Sequence, residues 1–340
     1  MGEAAQQSHD ATPLVTVILP TRNRRDLLRE AVESLWRQTA PAESFEILVV
    51  DNVSTDGTEE MMRELQARSP VTLRYHRNES NLGCFGSINL AVELARGEVI
   101  ASTDSDCWAD PHWVERGLEP FLRDPKMAFV AGHIADKPGQ PVTLFSLRNG
   151  APERENLFYP SGNCFYRKSV YQQLGGCVEN LSFGDVGNSP IGCGDSDLAW
   201  RMRKAGFAYA YRSDAVVYHE VFRVSPWKWL KAHTRMFVMP ELMRRHPELR
   251  HLLLGRLFFS WDNIWFYVAL LSCASTFWLG PWALLGVLPH VLRAALLGGL
   301  KHALINLPKT VARVAFVSAR QGIICGALIY GSARARNPVL

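Results

Sequence analysis

The sequence predicts an α/β fold, a mainly parallel central sheet with helices on both faces, followed by an α-helical, membrane-associated C-terminal region. Three observations carry this. Short β-branched runs alternate with segments of helical periodicity between residues 14 and 104, the pattern of strand–helix–strand units. Polar residues fall at the carboxyl ends of those runs, where open α/β sheets gather ligands. They are Thr21, Arg22, Asn23, Asp51, Asn81, Asp104 and Asp106. Charge is unevenly divided: the 340 residues hold 37 Lys and Arg against 33 Asp and Glu, yet seven basic residues and no acidic one follow Asp262.

Each element has its own signal. LVTVILP (14–20) is a short β-branched run ended by proline, as a buried parallel strand would be. Residues 24–38 place Leu27, Leu28, Ala31, Val32, Leu35 and Trp36 at helical spacing. FEILVVDN (45–52) is a second strand, followed by the turn NVSTDGT and a helix from Thr58 to Arg68. VTLRYHR (71–77) is a third strand, and residues 83–97 form a helix closed by Gly97. EVIASTD (98–104) is the fourth strand. Beyond it, residues 127–134 and 208–220 read as strands, and 192–207 as a Gly-rich loop entering a helix. Residues 1–12 read as a flexible tail without the apolar core of a secretory signal. The seven cysteines are scattered, with no CxxC and no zinc spacing, and read as reduced thiols.

Asp104 and Asp106 pose the central problem. Two carboxylates one residue apart repel each other, and aspartate is a poor strand former. At the end of a buried strand they fit a hard divalent cation, Mg²⁺ or Mn²⁺, whose coordination is completed by phosphate oxygens. An EF-hand reading fails, because Ala109 stands where that loop needs glycine. No P-loop is present, and GCFG lacks the dinucleotide-binding spacing.

The ordered motifs PTRNR (20–24), DNVSTDGT (51–58), NLGCFGSINLA (81–91), TDSD (103–106), SGNCFYRK (161–168), GDSDLAWRMRKAG (194–206) and VVYH (216–219) resemble those of family 2 glycosyltransferases with a GT-A fold, over roughly residues 13–235. The resemblance implies that Pro20, Thr21 and Arg24 line a nucleotide pocket, with Asp51 accepting a hydrogen bond from the base and Asn81 and Gly83 closing over it. It implies that Asp104 contacts ribose and the metal region, that Asp106 ligates the metal, and that His219 joins the metal or diphosphate site. The other reading of His219 is a strand-end histidine bonded to backbone. Gly162 and Asn163 would lie beside the donor sugar. Asp195 matches the general base, although Gly194 replaces the acid usually preceding it, which leaves acceptor preference open. Asp197 belongs to the same sugar-binding motif and also suits a helix N-terminus. The expected chemistry is inverting, metal-assisted displacement at a nucleotide-diphosphate sugar, UDP- or dTDP-linked, by a hydroxyl deprotonated by Asp195. Transfer to polyprenyl phosphate is a second enzyme reading, and a sugar-nucleotide-binding scaffold is the non-enzyme alternative.

The C-terminal region, 236–340, reads differently. No residue from Asn263 to Leu292 carries a formal charge other than a protonated His290, a run interrupted by Gly280-Pro281. About 20 residues suffice to cross a bilayer. Residues 301–330 space cations among apolar residues, like a basic amphipathic helix on anionic lipid. RVSPWKWLKAHTRMF (223–237) combines tryptophans with cations, as an interfacial segment would, and Arg235 is assigned to the donor diphosphate by resemblance. The expected partners are a nucleotide sugar, a glycan or glycolipid acceptor and the cytoplasmic face of the cell membrane, with no nucleic acid; homo-oligomerisation stays open.

Overall fold

A computed structural model describes residues 13–151, 153–178, 182–183, 191–297 and 307–340. Residues 1–12, expected as a tail, and 301–306 of the expected basic helix lie outside the described residues. The chain divides into two compact units, one of residues 1–142 and 147–223, the other of 143–146 and 224–340.

The first unit is built on an eight-stranded sheet. Its strands are β1 (Val15–Thr21), β2 (Phe45–Asp51), β3 (Thr72–Arg77), β4 (Val99–Thr103), β5 (Cys107–Ala109), β6 (Met127–Asp136), β7 (Asn163–Arg167) and β8 (Ala208–His219). Their order across the sheet is β3-β2-β1-β4-β7-β6-β8-β5. The first four run parallel, as the alternating pattern predicts. The sheet is mixed beyond them: β7 runs antiparallel to both β4 and β6, and β5 antiparallel to β8, while β6 and β8 are parallel. The cause is connectivity, since β7 follows an excursion that returns the chain in the opposite sense.

Burial on both faces explains why these strands read as continuous apolar runs. Val15, Val17, Ile18 and Leu19 are all fully buried. Helix α1 (Arg25–Leu35) presents Leu28, Ala31, Val32 and Leu35 to that core at helical spacing. Helices α2 (Thr58–Arg68), α3 (Gly83–Leu94), α4 (Trp113–Arg123), α5 (Lys168–Gln173) and α6 (Gly194–Lys204) complete the unit. At the end of the sheet away from Asp51, the fully buried Glu46 accepts from Thr16 Oγ1 at 2.8 Å, Arg74 NH1 at 3.0 Å and the Arg96 amide at 3.0 Å. A buried carboxylate survives only with such partners.

The second unit is helical: α7 (Pro226–Ala232), α8 (Met239–Arg245), α9 (Trp261–Leu279), α10 (Leu288–Leu296) and α11 (Leu307–Ala335), joined in part by 3₁₀ turns. The uncharged run 263–292 is no single helix. Gly280, at φ +72°, ends α9, and a 3₁₀ segment, Pro281–Val287, leads into α10. The one described helix long and apolar enough to cross a membrane is α11 instead, and 28% of its most apolar window is buried. Within this unit Phe145 packs edge-on against Trp229 and Phe316, and the Arg320 guanidinium lies 5.6 Å from the Trp229 ring centre.

Gly117 is where α4 meets the sheet most tightly, because a Cβ there would overlap the Phe165 ring. Trp113, one turn earlier, packs on the same ring at 4.8 Å. Gly117→Ala is expected to destabilise the protein by about 1–3 kcal/mol, the usual cost of overpacking, read as a lower denaturation midpoint with unchanged slope.

Candidate functional site

Strand register assembles the site. Thr21 pairs with Asp51, and Asp51 with Arg77, so the carboxyl ends of β1, β2 and β3 lie level. Thr103 at the end of β4 pairs with Asn163, and His219 at the end of β8 pairs with Cys107, just beyond Asp106. Residues far apart in sequence thus meet at one sheet edge.

Asp104, Asp106, Cys107 and His219 offer ligand atoms that all lie within 4.8 Å of one another. Arg24 NH1 donates to Asp106 Oδ2 at 2.6 Å, and His219 Nε2 lies 3.6 Å from the same oxygen. Asp106 Oδ1 is buried with no protein hydrogen-bond partner. Burial and the neighbouring Asp106 charge raise the Asp104 carboxyl to about 6. Asp104 keeps some exposed surface, but the dense protein around it withdraws solvent and decides its proton affinity. Burial and these two carboxylates also push the Cys107 thiol well above its ordinary range, so it stays protonated. The orphaned oxygen, the excess negative charge and the oxygen-rich donors fit a hard divalent cation held by Asp106, Asp104 and His219.

His219 lies in this cluster and is also bonded to backbone. Its Nδ1 faces the Glu220 carbonyl at 2.7 Å and therefore carries the proton, which leaves the Nε2 lone pair towards Asp106. Asn149 Nδ2 donates to that lone pair at 2.8 Å, a bond that a metal ion on Nε2 would replace. Sequence reasoning missed Asn149, and no local signal marks it: the loop before residue 150 reaches His219 only through the fold.

Asp195 opens α6 and is 9% exposed. The Ser161 amide donates to Oδ2 at 2.8 Å and the Ser196 amide to Oδ1 at 2.7 Å. Burial raises its pKa, and these amides oppose the rise without cancelling it. Asp195 also contributes to the field that raises Asp104. Gly162 lies in the same turn as Ser161, and a Cβ on it would stand 2.7 Å from Asp104 Oδ2. Its bareness admits the Asp104 carboxylate.

Other expected residues have different surroundings. Asn163 was expected beside the donor sugar, but its amide is spent inside the fold. Oδ1 accepts from Trp113 Nε1 at 2.8 Å, and Nδ2 donates to the His133 and Ala215 carbonyls at 2.8 and 2.9 Å. Asp197 Oδ2 accepts from Arg201 Nε at 2.7 Å, one turn along α6, and the residue is 2% exposed. Asp51 is fully buried: Oδ1 accepts from the Ser54 amide at 2.9 Å, and Oδ2 from Tyr75 at 2.6 Å and Arg77 at 3.1 Å. The two-residue spacing of Tyr75 and Arg77 on one strand face was the available signal. Asn81 Oδ1 takes the Asn52 amide at 2.5 Å and the Gly83 amide at 3.0 Å, while Asn52 Oδ1 holds the Leu82 amide at 2.9 Å. Gly83, at φ +72°, opens α3. Pro20 and Thr21 end β1, and Thr21 Oγ1 is buried without a hydrogen-bond partner. Arg235 lies in a 3₁₀ turn of the second unit.

Asp104 binds its proton more tightly in the folded chain, about 6, than at its ordinary 3.8. Between these values the folded state holds more protons than the unfolded one, so this group's contribution to stability falls as pH rises through about 6. Asp104→Asn is expected to abolish that loss. In chelator-treated protein the variant's Tm should gain on wild type by a few degrees as pH rises from acid to neutral, measured by thermal denaturation across pH.

Residues 16–175 match the family described as glycosyl transferase family 2. The chain is 28% identical over 214 residues to glycosyltransferase AglE of Haloferax volcanii, covering 61% of this chain and 67% of that protein. It is 28% identical over 240 residues to TuaG of Bacillus subtilis, provisionally named a teichuronic acid biosynthesis glycosyltransferase, covering 69% and 90%. The fold is similar to that of the mannosyltransferase PcManGT from Pyrobaculum calidifontis, solved in complex with GDP-Man and Mn²⁺, with a TM-score of 0.56 at 20% identity over 96% of this chain and 88% of that one. With its motifs in order on one sheet edge of a GT-A fold, residues 16–175 match glycosyl transferase family 2, and the chain is a glycosyltransferase.

Proposed function

We propose that this glycosyltransferase moves a sugar, with inversion, from a UDP- or dTDP-linked donor to a hydroxyl of a lipid-linked saccharide or cell-envelope glycan precursor at the cytoplasmic face of the membrane. The observation that carries the reading is Asp195, a buried carboxylate of raised proton affinity fixed by two backbone amides and within electrostatic reach of the Asp104 carboxylate.

A base acts only if it is held in place and wants the proton. The Ser161 and Ser196 amides hold both Asp195 oxygens, and burial raises its affinity above that of a solvated carboxylate. The acceptor hydroxyl gives its proton to Asp195 as its oxygen bonds to the anomeric carbon and the bond to the diphosphate breaks. Asp106, Asp104 and His219 Nε2 would hold Mn²⁺ or Mg²⁺, which supplies Lewis-acid stabilisation of the leaving diphosphate. Arg24, already on Asp106, adds a cation beside them. Pro20 and Thr21 bound the nucleotide pocket with Asn81 and Gly83, and Asp51 with its partners Tyr75 and Arg77 bounds the base end. Gly162 serves the sugar indirectly, by admitting Asp104; Asp197 and Asn163 support the surrounding backbone. A phosphate acceptor is already ionised and has no need of such a base, so Asp195 favours a hydroxyl acceptor over polyprenyl phosphate. The acid-free C-terminal stretch and the apolar α11 support an acceptor carried in lipid.

Asp195→Asn is expected to lower kcat by about 10²–10⁴ while donor binding, read by thermal shift, persists. Asparagine has a single oxygen for two amides, so circular dichroism must confirm the fold. Undiminished turnover would remove Asp195 from the mechanism. Asp106→Asn is expected to abolish the Mn²⁺-dependent part of the Tm rise produced by UDP, since ligand binding stabilises the folded state by mass action. A metal response equal to wild type would displace the metal from this cluster.

A further inference from the structure

The three most exposed large apolar side chains among the described residues occur together. Phe277 is 86%, Trp282 79% and Trp278 77% exposed. They occupy the tip of a helical hairpin made by α9, Gly280, the 3₁₀ segment and α10. The hairpin arms are held together at three levels. Asp262 pairs with Arg293 at the base, Phe266 packs edge-on against His290 at 5.4 Å, and Gly286 lies so close to Ser272 that a Cβ would overlap its Oγ. The tip is therefore a built feature, presented by a zipped stalk.

We infer that this hairpin tip docks into one leaflet of a membrane rich in anionic lipid. Exposed aromatics grouped at one end of a rigid element are costly in water and favourable at the headgroup–acyl boundary, where Trp is enriched. The exposed apolar stretch of α9, from Leu270 to Leu279, rises about 15 Å at 1.5 Å per residue. That is half of a hydrocarbon core of about 30 Å, so the hairpin is too short to cross and its tip settles in the boundary of one leaflet. Charge selects the occupant. No acidic residue follows Asp262, which is itself neutralised by Arg293, while Lys309, Arg334 and Arg336 stand exposed on the same unit. The unit as a whole is positively charged, which anionic headgroups complement and a second copy of the chain would repel. The inference deepens the membrane part of the proposed function and is independent of the sugar chemistry.

The test is co-sedimentation of the full chain with phosphatidylcholine vesicles, with and without phosphatidylglycerol. Wild type is expected to bind, and more tightly with phosphatidylglycerol. The combined variant Phe277→Ser, Trp278→Ser, Trp282→Ser should partition at least about tenfold more weakly, with unchanged Tm and unchanged transfer to a water-soluble acceptor. A conservative pair, Trp278→Phe with Trp282→Phe, guards against misfolding: it should still bind, yet lose the fluorescence quenching that brominated phosphatidylcholine causes in wild type. Equal vesicle binding by wild type and the serine variant would overturn the inference. So would light scattering that shows the serine substitutions splitting a dimer while lipid binding is retained. Loss of sugar transfer with vesicle binding intact would strike the proposed chemistry alone.

Discussion

Two carboxylates, Asp104 and Asp106, stand at the end of a buried strand with less positive charge around them than they need, and the architecture of the first unit answers that imbalance. Arg24 comes from the end of β1 and His219 from the end of β8. Arg24 donates to Asp106 Oδ2, His219 turns its Nε2 lone pair towards the same corner, and Oδ1 is left unsatisfied. A buried charge without a full set of partners is expensive. Here the deficit suits the site to a cation, and the same excess of negative charge, with burial, raises the Asp104 carboxyl to about 6.

The same economy runs through the supporting residues. Asn163 and Gly162 are neighbours with opposite duties: one fills every polar valence inside the sheet, the other contributes nothing so that a carboxylate fits. Asn52, Asn78 and Asn81 form a chain of amides that pins the loop before α3, with Asn78 Nδ2 reaching Asn52 Oδ1 and Ser87 Oγ, both at 3.1 Å. Asn23, at φ +51°, donates its backbone amide to Ser54 Oγ and accepts from the Thr55 amide with Oδ1, which joins the β1 and β2 loops. Polar networks of this kind rigidify loops, as a site that must hold reacting atoms in register requires.

The helical unit follows other rules. Beside buried aliphatic side chains such as Leu242, Met243 and Leu328, it packs rings around Trp229, and its charges are mostly of one sign. Apolar side chains at the hairpin tip stay exposed because the hairpin spends its packing surface on itself. In the first unit, by contrast, apolar side chains from both faces of the sheet are consumed in the core.

The alternation of strands and helices, the carboxylate pair, the Asp195 motif and the acid-free C-terminal end were legible in the sequence, because periodicity, residue chemistry and charge are local properties. The interrupted run 263–292 was legible too, since Gly280 and Pro281 announce the break. The antiparallel insertion of β7 was not: strand direction depends on where a long excursion returns. Nor was the spent amide of Asn163 or the Asn149 contact to His219, because each joins partners from 30 to 70 residues apart. Local chemistry determined which groups were available. Only tertiary packing decided which of them turned inward to satisfy the backbone and which were left facing the site.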